Sequence, residues 1–281
     1  MDPKLASFLS EAGELPPLPP AAARAVALTE DPGTGSEELR RAVETDPALA
    51  ARVLQAANSP LYGFARNIDT LGHAVTALGP RAVRNLVLAT SLRRMFSRFG
   101  RVEELLIDHA QASAVCARLV ARQPGVGLDP EEAFAAGLLH DLGKVALAAA
   151  RPRDYEAVVD RAIAEGAPFA EVERAVFGFD HGEAGFRVAI RMGLPRRLVA
   201  AVRFHHAPGR VSDPDDARLA AAASVATALA TRLGHGRGRP AGEVDPCAAP
   251  GYARLGLLPD DAPRLVAAAG EALKRVRVPL D

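Results

Sequence analysis

The chain has 281 residues, 49% of them hydrophobic, which suits one large or two small domains with a buried core and excludes a chain disordered throughout. Its 34 Lys and Arg balance 34 Asp and Glu, so no overall field draws it toward nucleic acid or anionic lipid. Cys116 lies in an apolar helical pattern and Cys247 in a loop, which excludes a disulfide framework and a Cys-x-x-Cys site; with no secretory leader in Met-Asp-Pro-Lys, a soluble cytoplasmic protein is expected.

Apolar residues recur at i, i+3, i+4, i+7 between Pro, Gly and Asp breaks, and β-branched alternation is nearly absent, so the expected fold is all-α. A short helix over 4–12 leads into Leu15-Pro-Pro-Leu-Pro-Pro20, an extended lead-in because consecutive prolines fix φ and remove donors. Helices are predicted over 21–30 and 36–44, the second capped by Ser36. Asp46-Pro47 starts a helix to Ala57, which Asn58-Ser59-Pro60 ends. The pattern from Thr70 to Leu78 stops at Gly79-Pro80, and Pro80 opens a helix to about Met95. His73 stands alone here and reads as solvent-facing or capped.

From Val102 a helix runs to Arg122, with Leu105, Leu106, His109, Ala112, Ser113 and Cys116 at helical spacing. Asp129-Pro130-Glu131-Glu132 is a start signal with Glu132 placed as in a capping box, and the helix it opens is predicted to run unbroken past Leu147. Further helices are expected over 152–165, 169–177, 181–192, 195–205 and 214–233, the last capped by Asp213. Gly234 to Pro250 reads as a flexible linker, basic through Arg232, Arg237 and Arg239 but solvated rather than a nucleic-acid arm. A final amphipathic helix, 263–276, is expected to dock on the body or on a partner. The organisation is thus read as an N-terminal helical lobe (1–98), a second lobe (99–235), and a linker with a C-terminal helix (236–281).

The chemistry concentrates in the second lobe. His140 and Asp141 interrupt an otherwise apolar helix, and His109, His181, His205 and His206 lie on successive helical segments that a bundle can converge on one pocket. Neutral imidazole and carboxylate suit Fe, Mn, Zn or Ni. Lys144, one turn from His140, is read either as a phosphate contact or as an i, i+3 partner of Asp141.

Gly137-Leu-Leu-His-Asp-Leu-Gly-Lys144 resembles the signature of the HD superfamily of metal-dependent phosphohydrolases. Leu15-Pro-Pro-Leu-Pro19, Thr45-Asp-Pro-Ala-Leu-Ala50, Ala57-Asn-Ser-Pro60, Ala74 to Gly79, Phe177-Gly-Phe-Asp-His-Gly182, Leu194-Pro195 and His205-His-Ala-Pro208 extend the likeness to its HDOD branch, bacterial signalling modules related to the HD-GYP phosphodiesterases. The likeness covers about residues 10–235. It implies an HD-like helical bundle with an additional N-terminal lobe, His109, His140 and Asp141 as metal ligands, and His181, His205 and His206 as the further histidines of HD-GYP sites.

Departures from the catalytic relatives shape the functional reading. Leu105 stands where binuclear sites can carry Glu, Ala207 follows the His-His pair where those relatives have Glu, and no Gly-Tyr-Pro follows. The late Asp of the superfamily should fall within 214–233, which offers Ser224 and Thr227 in its interior. With Asp141 as the clear carboxylate, charge balance favours at most one divalent ion (Fe, Mn, Zn or Ni) over two.

The expectation is a bacterial signal-transduction module acting mainly by protein or ligand binding, with a degenerate HD metal site. Its partners would be separate signalling proteins and a nucleotide or second messenger, with neither membrane nor nucleic acid. One alternative is a mononuclear metal-dependent phosphohydrolase or phosphodiesterase acting on a nucleotide or phosphorylated metabolite, with Asp141 and Lys144 as candidate catalytic groups. The other is a nucleotide-binding module without turnover.

Overall fold

The computed structural model describes residues 4–5, 7–8, 18–31, 33, 35–60, 62–64, 67–96, 100–236 and 244–275. The described residues are helical with no strand, as the periodicity predicts. They divide into two compact units, 17–94 and 95–269; the first also takes up the described residues 270–275, the second residues 4–5 and 7–8. Most of the expected 4–12 helix and the prolines at 16 and 17 lie outside the described residues; Pro19 (φ −50°, ψ 143°) is extended, and the next helix begins at Pro20.

The 17–94 unit holds α1 (Pro20–Leu28), α2 (Ser36–Glu44), α3 (Pro47–Ala57), α4 (Leu71–Leu78) and most of α5 (Pro80–Phe96). Leu39, Val43, Val53, Ile68, Val75, Val83 and Leu86 form its core. Asp46 accepts the Leu49 N–H and Thr70 the His73 N–H, each satisfying an end donor of its helix. His73 is thus tied by its backbone to a cap. Ser36 is not the cap of α2: Gly35 holds that position, and Glu38 reaches back to the Gly35 N–H at 3.3 Å, so no hydroxyl is needed there.

The 95–269 unit is built from α6 (Arg101–Ala121), α7 (Pro130–Leu139), α8 (Leu142–Ala150), α9 (Pro152–Glu165), α10 (Phe169–Phe177), α11 (His181–Arg191), α12 (Arg196–Phe204) and α13 (Pro214–Arg232). At its centre α6 packs against α7 and α13, and α8 against α11. Two glycines allow backbone contact. A Cβ on Gly137 of α7 would stand 2.5 Å from the Ser113 carbonyl of α6, and one on Gly143 of α8 would stand 1.8 Å from the His181 carbonyl at the start of α11.

The expected unbroken helix past Leu147 is two helices. It breaks at His140-Asp141, where Asp141 leaves helical torsions (φ −94°, ψ 17°) and its carbonyl accepts the Lys144 N–H at 2.8 Å. Successive side chains on a straight helix point about 100° apart; the turn lets both residues face one interior. Residues 130–150 together are long and apolar enough to cross a membrane, but 89% of the most apolar stretch is buried in the fold.

The sequence beyond 243 also departs from a flexible linker. Residues 246–248 and 253–255 form short 3-10 turns against α13, Gly251 lies where a Cβ would be 2.2 Å from the Ala221 carbonyl, and Tyr252 and Leu255 are buried. The last helix, α14 (Ala262–Arg275), begins in this unit and buries Leu265 and Ala269. Small side chains on α13, among them Ala220 to Ala223, make room for that approach. Arg237 and Arg239 lie outside the described residues.

Candidate metal centre

The break after α7 brings Asp141 to the wall of a cavity of about 160 Å³ whose lining includes His109, Asp141, Lys144, His181 and His206; His140, fully buried, stands outside that lining against Asp141. Asp141 is its hub. Oδ2 faces His109 Nε2 at 3.7 Å and His140 Nε2 at 3.2 Å, while Oδ1 faces His181 Nε2 at 3.3 Å and His205 Nε2 at 3.8 Å. His206 Nε2 lies 2.8 Å from His181 Nε2, and His205 Nε2 lies 3.2 Å from it. The six residues that the sequence picked out, on α6, α11 and the turns after α7 and α12, therefore meet in one place. Their ligand atoms form two sets, His109–His140–Asp141 and His181–His205–His206, each within 4.8 Å.

Four of the imidazoles arrive with one nitrogen committed. His109 Nδ1 is 3.2 Å from the His235 carbonyl, His140 Nδ1 2.8 Å from that of Gly137, and His205 Nδ1 3.0 Å from that of Val202. A carbonyl only accepts, so each Nδ1 carries the proton and each Nε2 offers a lone pair inward. His181 Nδ1 is held 2.6 Å from Glu173 Oε2, which also accepts the His181 backbone N–H at 2.8 Å. Tyr155 donates to the other Glu173 oxygen at 2.9 Å. Glu173 and Tyr155 are fully buried. This carboxylate behind a ligand histidine is the usual means of orienting the ring and raising its basicity.

The donor set fits a divalent transition metal. His140 Nε2 and both Asp141 oxygens are buried without a hydrogen-bond partner, a costly state that an ion would relieve. His181 Nε2 stands 2.8 Å from His206 Nε2 and 3.2 Å from His205 Nε2, close to the roughly 3 Å that two nitrogens on one ion adopt. Burial drives His109 down to about 3 and His205 well below the usual histidine range, so both remain neutral and able to ligate. For Asp141, burial acts to raise its pKa but is outweighed by neighbouring positive charge, Lys144 at 2.8 Å in particular, and the carboxyl is held well below its ordinary value. Lys144 Nζ lies 2.8 Å from Asp141 Oδ2 as an ion pair, off the line of a hydrogen bond, and 4.4 Å over the Phe169 ring.

The rest of the wall explains the departures noted in the sequence. Leu105 and Leu106 line one side with Val159, Pro168 and Phe169, and Thr227 and Thr231 of α13 line another. Thr227 turns a buried, unpartnered hydroxyl toward the interior, whereas Ser224 is buried away from the cavity lining. Ala207 puts no carboxylate beside the His-His pair. Two residues escaped the sequence reading. Glu173 has no motif of its own, and His235 sits in a glycine-rich stretch that reads as a linker, in the turn that follows α13.

A family model for the HDOD domain matches residues 15–208. The crystal structure of an HDOD domain protein of unknown function from Geobacter sulfurreducens superposes with a TM-score of 0.78 at 27% identity, covering 96% of this chain and 97% of that one. A proposed signal transduction protein from Marinobacter aquaeolei VT8 superposes with a TM-score of 0.70 at 26% identity, covering 93% of this chain and 57% of that one. An uncharacterized protein of Treponema pallidum (strain Nichols) is 23% identical over 201 residues, 72% of this chain; the match spans 39% of that relative.

Proposed function

Because this chain belongs to the HDOD family, we propose that it is a bacterial signal-transduction module that works by binding, with one divalent transition metal (Fe, Mn, Zn or Ni) in the 95–269 unit as part of its ligand pocket. The observation that carries this reading is the convergence of preset Nε2 lone pairs on an unsatisfied carboxylate. His109, His140 and Asp141 would hold the ion, with His181 and His205 against the other oxygen of Asp141 and His206 beside them.

Charge favours one ion and an anionic ligand. Asp141 and Glu173 contribute two negative charges and Lys144 one positive, so a single divalent ion leaves the pocket with a small positive excess, and a second would leave a large one. Such an ion supplies Lewis-acid polarisation of a phosphate oxygen. Lys144 can meet the same phosphate, and Glu173 holds His181 in place. A cavity of about 160 Å³ is small beside the roughly 300–1,000 Å³ of ordinary ligand pockets, so it takes a phosphate-sized group while the remainder of the ligand stays outside.

Hydrolysis is the second reading, and the observation favouring it is Lys144 beside Asp141 on the cavity wall, a cation placed to hold a phosphoester oxygen next to the carboxylate. The deciding experiment is metal content by mass spectrometry on untagged protein, followed by phosphodiester and phosphomonoester assays. Near-stoichiometric metal, lost in Asp141→Asn and His140→Ala, with ligand binding but no product supports the binding module. Turnover lost in Asp141→Asn supports the hydrolase. Folded wild-type protein that takes up no Fe, Mn, Zn or Ni sinks the metal reading.

A further inference from the structure

His109 owes its orientation to a turn beyond the residues that the family model covers. Asp108 and His109 are neighbours on α6, and His235-Gly236, just after α13, closes on both. Asp108 Oδ1 lies 2.8 Å from His235 Nδ1, and Asp108 Oδ2 accepts the Gly236 N–H at 2.9 Å. The His235 carbonyl accepts from His109 Nδ1 at 3.2 Å. Gly236 holds φ +82°, and an added Cβ would stand 2.7 Å from the His109 Cβ and 2.9 Å from its ring Cγ and Nδ1. A residue without a side chain is what lets the turn lie against the imidazole.

The side chains of Asp108 and His235 are 47% and 30% exposed, so their ion pair adds little stability by itself. Its effect is positional. A neutral imidazole carries one N–H, and the hydrogen bond made by one nitrogen decides which nitrogen keeps the lone pair. Nothing within α6 supplies an acceptor to His109 Nδ1; the turn does.

We propose that Asp108, His235 and Gly236 form a clasp that sets the tautomer of His109, keeping its proton on Nδ1 and its Nε2 lone pair toward Asp141. All three are positioning residues, and their purpose rests on the metal reading above, although the tautomer can be measured without metal. The clasp places the chain turn after α13 and the readiness of the pocket under one set of contacts.

The test uses the metal-free full-length chain with nitrogen-15-labelled histidine. Long-range proton–nitrogen correlation spectra of wild type should show His109 with the proton on Nδ1. Asp108→Ala and Gly236→Ala should shift it toward Nε2 or a mixture, while Asp108→Asn, which keeps an acceptor for the Gly236 N–H, should retain the wild-type form. Zn²⁺ binding isotherms on the same proteins should show about ten-fold or greater weakening for the two alanine variants and near-wild-type affinity for Asp108→Asn, the size expected for loss of a group orienting a ligand. Wild-type His109 protonated on Nε2, or alanine variants with unchanged tautomer, would overturn the clasp. Wild type with the expected tautomer but no Zn²⁺ binding would leave the clasp standing and remove the metal reading instead.

Discussion

Glu173 shows what a single buried carboxylate can do behind a histidine. Both its oxygens are used, one by Tyr155 and one by the ring and backbone of His181. Glu173→Gln keeps the shape and can still accept one of these bonds, so it should fold and weaken metal binding about 10-fold or more; Glu173→Ala leaves a buried Tyr155 hydroxyl unpaired and should in addition cost roughly 1–3 kcal/mol in chemical denaturation. Equal metal affinity in wild type and Glu173→Gln would show that His181 needs no support. A second residue-scale expectation concerns pH. His109 is held at about 3 and His205 well below its usual 6.5, so in the metal-free protein the unfolded chain binds protons that the folded chain does not. Stability is then full above about pH 6.5 and falls as pH drops toward 3, by roughly 1.4 kcal/mol per pH unit for each such histidine in the middle of that window. Urea midpoints at pH 7.5, 6 and 5 should decline in that order, and a flat series would mean that these rings accept protons when folded. The six clustered residues could be picked out because His-Asp and His-His doublets inside apolar helices stand out against Leu and Ala. Glu173 could not, since an acidic residue on an amphipathic helix looks the same whether it faces water or a histidine.

Helix boundaries were readable wherever Asp-Pro, Gly-Pro or a capping carboxylate marks them, as at Asp46, Asp129 and Asp213, whose oxygens accept the expected end N–H groups. The break between α7 and α8 carries no such mark. It arises from tertiary demands: Asp141 must turn inward, and α8 must cross α11 at backbone contact. Gly143 is the residue that permits this crossing, since a Cβ there would lie 1.8 Å from the His181 carbonyl. Gly143→Ala therefore has to push α8 and α11 apart and carry Asp141 and His181 with them. It should cost at least about 3 kcal/mol, the upper range for overpacking, and reduce metal content along with stability. A variant that melts like wild type would show that the crossing has slack.

The all-α architecture followed from periodicity alone, yet the C-terminal part did not. Glycine, proline and arginine around 234–250 have linker composition, and composition cannot reveal that an alanine-rich helix elsewhere leaves a shallow surface on which the turns at 246–248 and 253–255 pack. At this scale the metal reading also makes a spatial prediction. Every donor lies within 95–269, so Zn²⁺ at 100 times its Kd should stabilise by about 2.7 kcal/mol, with hydrogen-exchange protection increasing in that unit. Protection gained mainly within 17–94 would place the ion elsewhere.

The packing of the turns at 246–248 and 253–255 on α13 bears on how pieces of this protein can be handled. Leu219, Leu229 and a run of alanines on α13 lie in the core of the 95–269 unit, and the turns that carry Tyr252 and Leu255 pack over it. A fragment trimmed to the recognisable family segment, 15–208, would discard that helix and its cover together, baring the apolar faces of α6 and α7. Where homology ends and where a polypeptide can be cut are thus separate boundaries here, and gene truncations guided by the first would yield sticky, aggregating products.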